Sequence, residues 1–114
     1  MGVLKKGRRK IVYDNKKYIW HIAEDCDSPY NLLNIISEDK KLILSSPLDT
    51  DVSYVISKGS FFQGNKSNGD WDRYLLPFSI PTIITPKFVT DIISWASEKT
   101  DAVKVEWNGQ DIMI

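Results

Sequence analysis

A single helical segment, set among stretches with strand-like alternation, most constrains the fold of this chain. Thr85 and Pro86 open it, because threonine is a good N-cap and proline fits the first helical position, where its missing N–H would be unpaired anyway. Ile84 is placed to pack on Val89 as a hydrophobic staple. The apolar residues at helical spacing are Phe88, Val89, Ile92, Ile93, Trp95 and Ala96. The pattern predicts one helix at about 86–99, with one face packed on a sheet.

Two hairpins are predicted in the first half of the chain. Segments 11–13 and 18–22 form the first around residues 14–17, and segments 32–37 and 41–45 form the second. The cross-strand pairs expected from these loops are Tyr13 with Tyr18, Ile11 with Trp20, Ile36 with Ile43, and Ile35 with Leu44. Both faces of the second hairpin are apolar, which predicts a central position in the sheet with both faces covered.

The C-terminal segment has the pattern of a third hairpin. Asn108-Gly109 is typical of a type I′ turn, and a two-residue loop at this point fixes the register. That register places Val105 opposite Ile112 and Val103 opposite Ile114. Further strands are expected at 52–58 and 71–76, on either side of a polar loop at 64–70.

The order of these elements predicts the fold class. Strands, then a helix, then a hairpin indicate an α+β fold with a mostly antiparallel sheet of about five to seven strands and one main helix on a face. At 114 residues, the chain is long enough for one domain with one core. We expect a single domain at 10–114, preceded by a flexible basic tail at 1–9.

The neutral formal charge conceals a basic N-terminus and an acidic body. The basic side chains of the first ten residues are Lys5, Lys6, Arg8, Arg9 and Lys10. The remaining chain has ten Lys and Arg against fifteen Asp and Glu, a net charge of about −5. This split indicates that two different surfaces meet two different partners, and one hypothesis is a nucleic-acid-associated protein that uses the tail.

The sequence contains no motif that predicts catalysis, a cofactor or a metal ion. His21 and Cys26 are the only histidine and cysteine, and the acidic neighbours of Cys26 oppose formation of a thiolate. A small enzyme that uses His21 or the paired carboxylates at 24–27, 49–51 and 70–72 is therefore a minor alternative. The single cysteine and the lack of a signal peptide or an apolar membrane span predict a cytoplasmic protein. The sequence leaves the oligomeric state open.

Aromatic and charged residues cluster at 70–74, and these residue types dominate binding hot spots. An acidic rim around aromatic anchors suits a basic protein partner, by steering and then by burial. The predicted partner-binding residues are Asp70, Trp71, Asp72, Arg73 and Tyr74, with Glu24, Asp25 and Asp27 as steering charges. Ordinary core packing of these aromatic residues is the competing interpretation.

Two stretches carry a resemblance to known proteins. The run 40–43 and the run from Ile84 to Ala96 resemble parts of small, uncharacterised single-domain bacterial proteins, over about half of the chain. These stretches are structural, a hairpin and a capped helix, and imply no catalytic residues. In size and charge the chain is also similar to immunity proteins that neutralise bacterial toxins. That similarity implies a non-enzymatic protein-binding domain that neutralises a basic toxin.

Overall fold

The computed structural model describes residues 8–24, 31–48, 53–63, 65–66, 71–81, 83–98, 102–107 and 112–113. The first six strands are β1 (Arg9–Tyr13), β2 (Lys16–Glu24), β3 (Asn31–Ser37), β4 (Ile43–Pro47), β5 (Tyr54–Ser57) and β6 (Phe61–Phe62). The remaining elements are β7 (Asn65–Lys66), β8 (Asp72–Leu75), the helix α1 (Pro86–Glu98), β9 (Lys104–Trp107) and β10 (Ile112–Met113).

An antiparallel sheet forms the body of the protein. Its strand order is β1-β2-β3-β4-β5-β8-β9, and the short β10 pairs with β9 at the end of this series. Strands β6 and β7 form a separate two-stranded sheet, and β7 lies within the segment 64–70 predicted to be loop. The α+β class, the antiparallel sheet and the single main helix are confirmed.

The β1–β2 hairpin is confirmed, but its predicted register is wrong by two residues. Ile11 lies opposite Tyr18, and Tyr13 lies opposite Lys16. The turn is therefore two residues long and contains only Asp14 and Asn15, with φ values of 52° and 63°. Positive φ at both central residues is the signature of a type I′ turn, which matches the twist of the strands better than the longer loop.

The β3–β4 hairpin has the predicted register. Ile35 lies opposite Leu44, and Ile36 lies opposite Ile43. Strand β4 ends at Pro47, as expected from a residue that cannot donate to the ladder. The pair lies near the middle of the sheet, between β2 and β5.

The C-terminal hairpin forms with a different register from the predicted one. Ile112 lies opposite Trp107 rather than Val105, which leaves residues 108–111 between the two strands. The turn at Asn108-Gly109 and Ile114 lie outside the described residues. A two-residue shift keeps every side chain on its original face, so the alternation of apolar residues does not distinguish the two registers.

Helix α1 begins at the predicted cap and packs against one face of the sheet. The N–H of Phe88 donates to Thr85 Oγ1 at 3.2 Å, the expected N-cap bond. The buried side chains of α1 are Phe88, Val89, Ile92, Ile93, Trp95 and Ala96. They form the core with sheet residues that include Tyr18, Trp20, Leu33, Ile35, Leu44 and Val55.

Buried Gln63 joins the end of the helix to the sheet. Its backbone N–H donates to the carbonyl of Ala96 at 2.7 Å, and its Nε2 donates to the carbonyl of Trp95 at 3.1 Å. Its Oε1 accepts a hydrogen bond from the N–H of Ala102, just before β9. One side chain thus satisfies a carbonyl of the last helical turn and also fixes the start of the following strand.

We expect Gln63→Ala to lower the free energy of unfolding by about 2 kcal/mol, because it leaves the Trp95 carbonyl and the Ala102 N–H without their partner. Urea unfolding monitored by circular dichroism measures the change. Ser60→Ala, at a neighbouring exposed position, is the control. Equal stability of the two variants would contradict this role for Gln63.

Candidate functional site

The sheet has a second apolar face, turned away from α1, which we call the outer face. Because successive side chains of a strand point to opposite faces, the outer face carries the residues that alternate in sequence with the core residues. Its aliphatic side chains include Ile19, Ile36, Ile43, Ile56, Leu75 and Val105. None of the six belongs to the core cluster of described residues that contains α1. Val105 is buried, and the other five are partly exposed.

A row of polar residues crosses the outer face. His21, Asn34 and Ser45 are direct cross-strand partners on β2, β3 and β4. The Ser45 hydroxyl donates to Asn34 Oδ1 at 2.6 Å, and Asn34 Nδ2 lies 3.5 Å from His21 Nε2. The amide of Asn34 therefore separates the imidazole from the hydroxyl, so His21 is not placed to activate Ser45 as a nucleophile.

The surroundings of His21 disfavour its charged form. Its Nδ1 is buried and has no hydrogen-bond partner among the described residues. Burial, with a smaller contribution from the positive charge of Arg8, lowers the pKa of His21 below its ordinary value of 6.5. Cys26, the other residue considered for catalysis, lies outside the described residues.

Trp71 is an exposed aromatic residue whose ring contacts Lys58 and whose backbone carbonyl contacts Arg73. It is 54% exposed, and its φ of 59° lies in the left-handed region, which is unusual for a bulky residue. The Lys58 ammonium lies 4.3 Å from the centroid of the Trp71 ring, a cation–π contact. Arg73 Nη1 donates to the Trp71 carbonyl at 3.3 Å. These contacts fix the position of an indole that remains half in solvent.

The residues next to Trp71 are divided between the two faces of the sheet. Arg73 shares a cross-strand row with Ile56 and Val105 on the outer face. Asp72 and Tyr74 point to the α1 side, since their partners on β5 are core-side residues. Strand alternation therefore separates side chains that the sequence grouped into one binding surface.

Asp72 and Tyr74 both have partners on the α1 side. Asp72 forms a 3.2 Å ion pair with Lys104 of β9. The ring of Tyr74 stacks on Phe62 with the centroids 4.3 Å apart. The pKa of Tyr74 is raised mainly by burial and to a smaller extent by the negative charge of Asp72. Asp72 thus neutralises a neighbouring lysine, and Tyr74 contributes to packing.

The predicted steering charges lie away from Trp71 or outside the described residues. The backbone of Glu24 pairs with Asn31 at the end of β2, and four strand spacings, about 19 Å, separate β2 from β8. Asp25, Asp27 and Asp70 are not among the described residues. The described part of the chain therefore places cations, Lys58 and Arg73, beside the exposed indole.

The basic N-terminus is partly built into the sheet. Lys5 and Lys6 lie outside the described residues, whereas Arg9 and Lys10 are the first two residues of β1. The guanidinium of Arg9 lies 5.8 Å from the centroid of the Trp20 ring. Arg8, Arg9 and Lys10 are all exposed. Arg9 and Lys10 thus have positions on a strand, although the sequence pattern assigned residues as far as Arg9 to a flexible tail.

Sequence reasoning missed a cleft of about 210 Å³ at one end of the sheet. It lies between the β1–β2 turn, the β3–β4 turn and the end of α1. Tyr13 donates a hydrogen bond to the Glu98 carboxylate, and this bond is the largest cause of the raised pKa of Tyr13. Asp39 accepts hydrogen bonds from Ser37 and from the N–H of Lys41, which lower its pKa. The Glu98 carboxylate thus joins α1 to β1, whereas the Asp39 carboxylate stabilises the β3–β4 turn from within.

Neither a metal centre nor a membrane-spanning helix is found in the described ranges. Among these residues no three His, Cys, Asp or Glu side chains come together as a potential metal site. In the same part of the chain, no helix has the length and apolar character needed to cross a membrane.

The lowered pKa of His21 predicts how stability changes with pH. Because the folded protein resists protonation of His21, this contribution to the free energy of unfolding is fully present above pH 6.5 and is lost as the pH falls towards the folded-state pKa. An NMR titration of the single imidazole should give a pKa below 6.5, and Arg8→Gln should raise it. A value at or above 6.5 in the wild-type protein would contradict the burial of this side chain.

Comparison with known proteins does not assign the chain to a family. The sequence matches no protein-family model, no curated protein and no solved structure. The function is therefore argued from the outer face, from Trp71 and from the charges around them.

Proposed function

We propose that this chain is a protein-binding domain, and that its outer face and Trp71 contact a protein partner. The observation that carries the proposal is the second apolar face of the sheet. An antiparallel sheet with one face in the core commonly presents polar side chains on the other. Here the rows that face away from α1 are mainly aliphatic, and the partly exposed aliphatic side chains in these rows include Ile19, Ile36, Ile43, Ile56 and Leu75.

The arrangement at Trp71 supports the same conclusion. Tryptophan and arginine are the residue types that most often dominate the affinity of protein interfaces. The contacts of Trp71 with Lys58 and Arg73 hold the indole in position before a partner arrives, which reduces the conformational entropy lost on binding. Positive φ at a bulky residue also occurs disproportionately at functional sites.

Protein is favoured over nucleic acid as the occupant of the outer face. Single-stranded nucleic acid binds to sheets through successive aromatic side chains on which bases stack. The middle of this face is instead made of isoleucines, and the polar row His21–Asn34–Ser45 crosses it. Isoleucine side chains offer packing surface for the apolar groups of a protein but no stacking platform.

The more specific hypothesis is an immunity protein that neutralises a basic bacterial toxin. It rests on the acidic body of the chain and on the similarity in size and charge to such proteins. The acidic side chains that would steer a basic toxin include Asp25, Asp27 and Asp70, which lie outside the described residues. The toxin therefore stays a prediction, whereas the proposal of a protein partner rests on the outer face and Trp71.

We expect Trp71→Ala to weaken partner binding at least about tenfold, because it removes a pre-positioned hot-spot side chain. The partner is obtained by cross-linking and capture from source cells with the full chain, and its affinity is then measured by calorimetry. Ile83→Ala is the matched control, because Ile83 is 76% exposed but lies in the segment before α1.

Equal affinities of the two variants for the captured protein would contradict the proposal. Recovery of nucleic acid alone would also contradict it. Both variants should keep the fold, because both side chains are mainly in solvent and neither belongs to the core cluster. Circular dichroism of the two variants checks this.

A further inference from the structure

Strand β1 forms one edge of the sheet, at the opposite side from β9 and β10. Among the described residues it pairs only with β2, so its second edge presents backbone N–H and C=O groups that no described strand uses. Such an edge is a template for pairing with an added strand. Val12, the fourth residue of β1, is 64% exposed.

Positive charge is concentrated along this edge on both faces of the sheet. Arg8 and Lys10 alternate with Arg9, whose guanidinium lies over Trp20 on the α1 side. Lys16 and Lys17 of β2 lie opposite Tyr13 and Val12, next to the same edge. All five basic side chains are exposed, and none of them forms an ion pair with a described carboxylate.

This positive charge distinguishes between two kinds of strand that could pair with β1, a second copy of the chain and an acidic segment of another protein. A second copy of the chain would bring the same five cations to the contact, and these outnumber the nearby carboxylates of Asp14 and of Glu98, which is bonded to Tyr13. An acidic strand would instead bring carboxylates to arginine and lysine side chains while its main chain forms the ladder. The exposed cations at the start of β1 alternate between the two faces of the sheet. Consecutive acidic residues of an added strand alternate in the same way, so they would meet cations on both faces.

We propose that β1 binds an extended acidic segment of a protein partner as an added strand. The acidic residues lie beside Arg8, Arg9 and Lys10, and apolar or β-branched residues lie beside Ile11 and Val12. This edge is separate from Trp71, because five strand spacings, about 24 Å, separate β1 from β8, although the outer face itself extends to β2.

The test uses the full chain and a fluorescent synthetic peptide in which consecutive glutamates precede alternating valine and threonine. A matched peptide has lysines in place of the glutamates. Fluorescence anisotropy should show binding of the acidic peptide that weakens with salt, and no binding of the basic peptide. Arg8→Glu combined with Lys10→Glu should weaken binding at least tenfold.

Lys66→Glu combined with Lys87→Glu is the matched control, since it changes the net charge equally at exposed positions on β7 and on the first turn of α1. It should leave the affinity unchanged. Trp71→Ala should also leave it unchanged, so that this proposal and the proposed function fail or succeed separately.

Backbone pairing is tested on the wild-type protein, which avoids any effect of substitutions on folding. Peptides N-methylated at alternate residues lose the amide donors along one edge only. Methylation of the edge that faces β1 should abolish binding, and methylation of the other edge should preserve it. Equal effects of the two patterns would overturn strand addition.

Two further outcomes would also overturn the proposal. One is binding of oligothymidylate as tight as that of the acidic peptide, which would make the edge a general polyanion site. The other is a dimer, detected by sedimentation, that Arg8→Glu with Lys10→Glu dissociates, because the occupant of the edge would then be a second copy of the chain.

Discussion

The structure depends on the burial of α1 against one face of a sheet that is apolar on both. The helix contributes six buried side chains to the core, and the rows of the sheet that face it contribute the rest. Burial of this apolar surface is the main favourable term in folding. Because one helix lies on one face, the same packing that makes the core leaves the isoleucines of the outer face outside it.

The orientation of the helix is fixed by polar contacts at its last turns. Gln63 binds the carbonyls of Trp95 and Ala96, and Tyr13 of β1 bonds to Ser94 and Glu98. These bonds connect the helix to the separate β6–β7 segment and to the edge strand. The edge strand therefore has one face tied to the body of the protein, while its outer edge and its cations remain turned to solvent.

Alternation within strands decides which residues act together at each surface. The cluster at 70–74 is continuous in sequence, but β8 sends Asp72 and Tyr74 towards the core side and Arg73 to the outer face. Conversely, His21, Asn34 and Ser45 form one row although they are far apart in sequence. The outer face and the β1 edge are thus products of the sheet order, and each combines apolar surface with cations.

The sequence by itself determined the local elements of this protein. The cap at Thr85, the apolar stripe of the helix, the hairpins and the apolar faces of β3 and β4 all follow from short-range patterns, because capping, helical spacing and alternation involve neighbouring residues. Only the tertiary structure decided the registers of the first and last hairpins, because registers that differ by two residues present the same faces. It also decided the contacts of Gln63, the cationic surroundings of Trp71 and the position of β1 at the edge. These depend on the packing of distant segments, which no local pattern encodes.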